Sequence, residues 1–317
     1  MEREFIDELK ASVMDKLNDK DNVKEIEIKE VTKNNSQVCT GMVFKNDSNI
    51  APIIYFDDMY KDFNNGTPID DLAERMVNSY RDSQNVGKID MDQFFDFDKV
   101  KDKIFVCARN AEKNSEQLKD VPHEIKNDVA IMYKIEVQRN GEGLGAVTIT
   151  DDLMKQYGVD INDISNIAWE NTKRMYPVDF NDMTDVLKRM MFPDGFPVGD
   201  DMMDMMEEHR GEMYVLTNSF GVNGAVYAFD NDVLKDISEK IGDTNLIILP
   251  SSINEVIILP QKNVESKESL RGIVGEVNQS DAVPESDFLS NNIYCYDRLK
   301  NELVTFVPEQ EMQMGEM

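Results

Sequence analysis

The chain has 317 residues, 41% hydrophobic and 8% aromatic, which is enough apolar side chain to fold and does not fit a disordered polymer. Against 34 basic residues stand 62 acidic ones, for a formal net charge of -28. That field repels phosphate backbones and anionic lipid, so direct nucleic-acid binding and membrane association are not expected. Cys39, Cys107 and Cys295 are odd in number and far apart in sequence, which argues against a disulfide framework.

Phe5, Ile6, Leu9, Val13 and Leu17 recur at helical spacing and predict an opening amphipathic helix. Three strands follow, over 23–31, 38–44 and 50–56, divided by Asn- and Ser-rich turns. After Asn64-Asn65-Gly66 a second helix carries Ile69, Leu72, Ala73, Met76 and Tyr80, with Thr67 as its cap. Phe94, Phe95, Phe97 and Val100 suggest a short helix leading into a buried strand over 104–108, and a domain boundary is placed in the polar stretch ending at Pro122.

The second half begins with a strand over 129–137, and Gly141, Gly143 and Gly145 turn it into another at 146–150. Helices follow, the first capped by Asp151 and stopped by Gly158, then one around Ile164 to Met175 and one around Met183 to Met191. A strand at 213–217, an apolar segment at 225–229 and a helix with Val233, Leu234, Ile237 and Ile241 come next. Leu246-Ile-Ile-Leu-Pro250 and Val256-Ile-Ile-Leu-Pro260 read as a core hairpin, followed by a helix with Leu270, Ile273, Val274 and Val277 and closing strands at 293–296 and 303–307. The fold class expected is α+β with mostly antiparallel sheets in two subdomains, 1–122 and 123–307, before a polar tail at 308–317.

No strong catalytic signature appears. The low-ranking catalytic candidates are Ser252, Glu255 and His123: a serine and a carboxylate near the hairpin loop, and a histidine flanked by acids. Gly-x-Ser-x-Gly and Ser-x-x-Lys are missing, and a plain hairpin loop accounts for Ser251 and Ser252. Candidate binding residues are Ser219 and Asn223, in the loop Ser219 to Gly224, with Ser251 and Asn254. His209 lies in a polar stretch and reads as a surface residue. Two histidines and scattered cysteines supply no zinc site, and a calcium-loop match at Asp19, Asp21 and Glu30 fails on Val23 and Lys24, so no metal or cofactor is expected. Asp200, Asp201, Asp204, Glu207 and Glu208 read as a solvated face. Met183, Met190, Met191, Met202, Met203, Met205, Met206 and Met213 crowd one region, as adaptable core filler or as a surface that re-packs around partners.

The phrases Asn49-Ile-Ala-Pro-Ile-Ile-Tyr-Phe56, Lys103-Ile-Phe-Val-Cys-Ala-Arg-Asn110, Met213-Tyr-Val-Leu-Thr-Asn218, Leu249-Pro-Ser-Ser-Ile-Asn-Glu255 and Ile293-Tyr-Cys-Tyr-Asp297 together resemble an uncharacterised domain-of-unknown-function family of anaerobic gut bacteria. The resemblance spans nearly the whole chain and implies a bacterial cytoplasmic origin. It also implies histidine where this chain has Asn254, which weakens a catalytic reading of Ser251 and Ser252. It carries no activity.

The leading expectation is a non-enzymatic cytoplasmic protein-binding module whose acidic surface takes a basic protein partner. The alternatives are a hydrolase-like enzyme of unfamiliar type and a DNA-mimic inhibitor. The opening Met1-Glu-Arg-Glu-Phe5 is acidic where a secretory leader would be basic, and the apolar run 246–260 is interrupted, which supports the cytoplasmic expectation.

Overall fold

The repeat of Phe5, Leu9 and Val13 becomes helix α1 (Arg3–Lys16) in the computed structural model, which describes residues 3–47, 51–84, 90–140, 143–192, 204, 207–250, 252–280 and 283–307. Two units divide the chain, Met1–Phe94 and Phe95–Met317. In the first, β1 (Glu25–Thr32), β2 (Val38–Lys45) and β3 (Ile53–Tyr55) form an antiparallel sheet in that order, followed by α2 (Asp57–Asn64) and α3 (Ile69–Ser83). Phe5, Leu9 and Val13 share one buried cluster with Met42 and Phe44 of β2 and with Leu72, Ala73, Met76, Val77 and Tyr80 of α3.

The rings of Phe44 and Tyr80 stack at 4.4 Å, and burying a side chain of this size contributes about 1.5–3 kcal/mol. Polar groups close the same corner. Arg81 donates from Nε and Nη2 to both oxygens of Asp21 at 2.7 and 2.9 Å, and the Tyr80 hydroxyl donates to the Asp21 carbonyl. The hydrogen bond from Arg81 holds the Asp21 carboxyl below its usual range. Asp21, tested above as a calcium ligand, is therefore already committed to a guanidinium. Strand β1 lies at the sheet edge and alternates buried Ile26 with exposed Glu25 and Glu27, which bind Lys45 of β2; charges on an edge discourage pairing with another chain.

In the second unit the short α4 (Phe97–Val100) leads into β4 (Ile104–Asn110), which pairs with β6 (Val129–Asn140); β5 (His123–Lys126) and β7 (Gly143–Thr148) pair with β6 along its other side. The strand read over 104–108 thus belongs with the second unit, through a partner that sequence spacing does not announce. All of β4 is buried. Helix α5 (Asp151–Tyr157) is capped by Thr150, whose hydroxyl accepts from Leu153 N, one residue before the predicted cap. Helix α6 (Ile161–Met175) then covers the outer edge of β4. Thr172 Oγ1 accepts from Val106 N at 3.0 Å and Asn171 Nδ2 donates to Ile104 O at 3.0 Å, so two of the backbone groups on that edge are satisfied by side chains.

The remaining elements are β8 (Val178–Asp182), α7 (Met183–Met191), β9 (Tyr214–Asn218), a 3-10 turn at Gly224–Phe229, α8 (Asn231–Lys240), β10 (Leu246–Leu249), β11 (Val256–Pro260), α9 (Lys267–Gln279), β12 (Tyr294–Asp297) and β13 (Glu302–Thr305). They build a six-stranded sheet ordered β13-β12-β10-β11-β9-β8. The two apolar runs pair as an antiparallel hairpin, Leu246 opposite Pro260 and Leu249 opposite Ile257, at the middle of this sheet. Every strand pairing is antiparallel among the described residues, and the fold class is α+β. Strands β5 and β8 and helix α2 have no counterpart in the sequence reading: β5 is short, and β8 is rich in Asp and Asn, as suits an edge. The tail 308–317, Gly141 and Asp200 to Met203 lie outside the described residues.

One carboxylate joins the two sheets of this unit. Asp128, in the turn between β5 and β6, accepts from Ser290 Oγ at 2.7 Å and from Tyr294 Oη at 2.6 Å. Both donors are fully buried, and burial together with Asp128 pushes the Tyr294 hydroxyl well above the ordinary tyrosine value. Replacing Asp128 by alanine leaves both hydroxyls without an acceptor. We expect D128A to lose about 3 kcal/mol in denaturant unfolding and D128N roughly half of that, because the amide keeps one acceptor oxygen. Equal, negligible losses in both would show the bonds to be dispensable.

Candidate functional site

The loops after β9 and between β10 and β11 emerge at the same end of the six-stranded sheet, since β11 starts where β9 finishes, with Val256 opposite Leu216. Asn254 links them. Its side-chain Oδ1 accepts from Asn223 N at 3.1 Å and its Nδ2 donates to Asp287 Oδ2 at 3.1 Å. Its carbonyl accepts from Thr217 Oγ1 at 2.7 Å, and its N donates to Ser252 Oγ at 3.0 Å. Asn223 adopts a left-handed conformation at φ 57°, which asparagine tolerates, and its Oδ1 accepts from Arg109 Nη1 at 2.9 Å. Gly224 opens the 3-10 turn and lies tight against β9 and the loop at Asn254. A Cβ there would press into Thr217 Oγ1 and lie 2.7 Å from both Asn218 N and Asn254 O, so only glycine fits.

Two of the residues singled out from sequence, Asn223 and Asn254, are therefore bonded to each other. Ser219 is exposed, and its backbone N donates to Pro177 O. Ser251 lies outside the described residues. Ser252 spends its Oγ on Asn254 N and pairs by backbone with Phe288, while Glu255 is exposed. His123 opens β5 with Nδ1 donating to Val121 O at 2.7 Å, and makes no bond to Ser252 or Glu255 among the described residues. No serine–histidine or histidine–carboxylate bond connects this trio, so the arrangement offers no relay for proton removal from a hydroxyl. It is a polar clasp that fixes loops. Sequence reasoning missed Arg109, Thr217 and Asp287. A lone arginine inside the apolar strand Ile104–Asn110 was the available signal, because a buried guanidinium demands partners.

The methionine region resolves differently. Helix α7 is capped by Asp182, whose Oδ1 accepts from Thr184 N at 2.8 Å, and Thr184 is its one buried residue. On the open side Leu187, Met190 and Met191 are 40%, 73% and 52% exposed, and Met213 is 37% exposed. Arg210 ties the helix down by donating to both oxygens of Asp185 at 3.0 and 2.7 Å and to Glu207 Oε2 at 2.6 Å, while Lys188 also pairs with Glu207. Asp204, Glu208 and Glu212 are exposed. His209 Nδ1 lies 3.0 Å from Glu212 Oε2 at the surface. Met202, Met203, Met205 and Met206 lie outside the described residues. Among those described, no three His, Cys, Asp or Glu side chains are grouped to hold a metal ion, the cysteines are free, and no helix is long and apolar enough to cross a membrane.

Two measurements test this geometry. G224A should lose about 3 kcal/mol of stability, at the upper end for overpacking because two of the atoms it meets are backbone; a loss below about 0.5 kcal/mol would contradict this close approach. Hydrogen bonds from Arg210 and Lys188 hold the Glu207 carboxyl down at about 2. A depressed folded-state value means the ion cluster's contribution is complete above the unfolded carboxyl value and is lost progressively as pH falls from there to about 2. The Glu207 side-chain carbon resonance should stay flat from pH 7 to 4 and titrate near 2. A midpoint above 4 would break the cluster.

No curated protein and no solved structure matches the chain. A family model matches residues 2–298, nearly the whole sequence, and the chain belongs to that group, described as a family of unknown function (DUF5688).

Proposed function

We propose that the protein is a non-enzymatic, cytoplasmic protein-binding module, and that its docking surface is the open face of α7. The carrying observation is the exposure of Leu187, Met190 and Met191 on one short helix. Methionine is unbranched and polarisable and adapts to varied apolar partners. Glu207 pairs with Lys188 of this helix, and Asp204, Glu208 and Glu212, close to Glu207 in sequence, are exposed in a chain of net charge -28, so the partner it suits is a basic segment with apolar anchors, such as an amphipathic helix with lysine and arginine beside its apolar stripe. Three isolated thiols suit a reducing compartment. The loop clasp at Asn254 supports the non-enzymatic reading, since its groups are spent on one another.

The test is affinity purification from the native host with the wild-type chain and with L187E and M190E, at low and moderate salt. A basic protein should be enriched by the wild type, recovered at least tenfold less by each variant, and weakened as salt screens the acidic rim. Folding of the variants is checked by circular dichroism. Equal recovery by wild type and variants, or no enriched basic protein at either salt, would overturn the proposal.

A further inference from the structure

Asp19 and Asp21 stand together in the sequence as failed calcium ligands, and the structure separates them. Asp21 is held by Arg81, whereas the Asp19 carboxylate has no hydrogen bond and no ion pair among the described residues. Asp19 lines a cleft of about 360 Å³ in the first unit, between the end of α1 and the start of β1. That volume falls at the small end of the range of about 300–1,000 Å³ that small-molecule sites occupy.

The local sequence makes this space. Helix α1 stops after Lys16, and a single 3-10 turn then redirects the chain into β1. Asn18 accepts from Lys20 N through Oδ1, and Asn22 closes the turn in the left-handed region at φ 51°. The cleft is walled by Met14, Leu17, Val23 and Ile26. Ile26 is buried, Leu17 and Val23 are only half-covered by the core of this unit, and Met14 is 56% exposed. An apolar wall therefore stays within reach of solvent.

The charges around the cleft differ in what they are bound to. Lys24 pairs with Asp47, and Glu25 pairs with Lys45 at 3.2 Å, so these two lining charges are cancelled. Asp19 is not. The end of α1 adds to its sign, because Asn18 N, which in a continued helix would bond Met14 O, donates to Asp21 Oδ2 at 2.9 Å instead. The Met14 carbonyl is left without a donor among the described residues. A helix C-terminus carries a partial negative charge that favours cations, and the field of a chain of net charge -28 draws them in. A bare metal ion needs more oxygen ligands than one carboxylate supplies, and no three acidic groups are gathered to hold one among the described residues. A cation that carries its own apolar body matches both the wall and the charge.

We propose that this cleft binds a small organic ammonium compound. Its carbon body lies on Met14, Leu17, Val23 and Ile26, and its ammonium donates to the Asp19 carboxylate at the open carbonyl end of α1. The site belongs to the first unit and is independent of the α7 face.

The experiment titrates the full chain by calorimetry at neutral pH and constant ionic strength. The probes are benzylammonium, its neutral analogue benzyl alcohol, and ammonium chloride as a cation without a body. Benzylammonium should bind saturably and the other two at least tenfold more weakly, since each lacks one half of the fit. D19N should weaken benzylammonium about fivefold and M14A about threefold. E8Q removes the same charge from another exposed position and should change nothing. Circular dichroism checks that the variants fold. In the wild type, the Met14 methyl resonance should shift as benzylammonium saturates, which tests the site with no substitution at all. Any one of five results would overturn the proposal: no saturable binding of benzylammonium, benzyl alcohol or ammonium bound as tightly, E8Q as damaging as D19N, M14A without effect, or a Met14 methyl resonance that does not move.

Discussion

Asp128 accepts two short bonds from Ser290 and Tyr294, and its own backbone carbonyl accepts from Ala111 N, so one turn holds together chain segments drawn from both sheets of the larger unit. Asn110, buried at the end of β4, donates from Nδ2 to Leu289 O. These contacts decide where the segment 284–293 runs, and with it Asp287, the residue that accepts from Asn254. The loop clasp at the end of the six-stranded sheet therefore depends on a carboxylate in the four-stranded one.

Much of the secondary structure was legible in the sequence because its signals are local. Phe5, Leu9 and Val13 mark α1 by spacing alone, and the paired runs 246–249 and 256–260 are short, β-branched and joined by a polar loop, so their hairpin follows. Pairing over long range was not legible. Strand 104–110 is read easily as buried, but nothing in it names 129–135 as its partner, and two groups on its outer edge are bonded by Thr172 and Asn171 from a helix some 65 residues later. Strand β8 fails for a different reason: Asp179, Asn181 and Asp182 have poor strand propensity and are held there by β9.

The candidate site shows the same division. Asn223 and Asn254 could be picked out as polar residues in loops flanking apolar strands, yet their mutual bond requires Gly224 to let two backbones approach. Arg109 was read as part of a strand and passed over, although a single charge inside an apolar run is conspicuous once burial is known. Four hydrogen bonds consume the groups of Asn254, so it fixes the geometry of the two loops.

The distance in sequence between Asp128 and its donors also sets an order of events during synthesis. Ser290 follows Asp128 by 162 residues and Tyr294 by 166. At about 5–20 residues per second, a translating ribosome takes roughly 8–30 s to supply them. Every contact internal to the first unit, by contrast, is complete once residue 94 has been made. The larger unit must therefore hold an unfinished sheet, with its central carboxylate still in water, while more than half of its own chain is added.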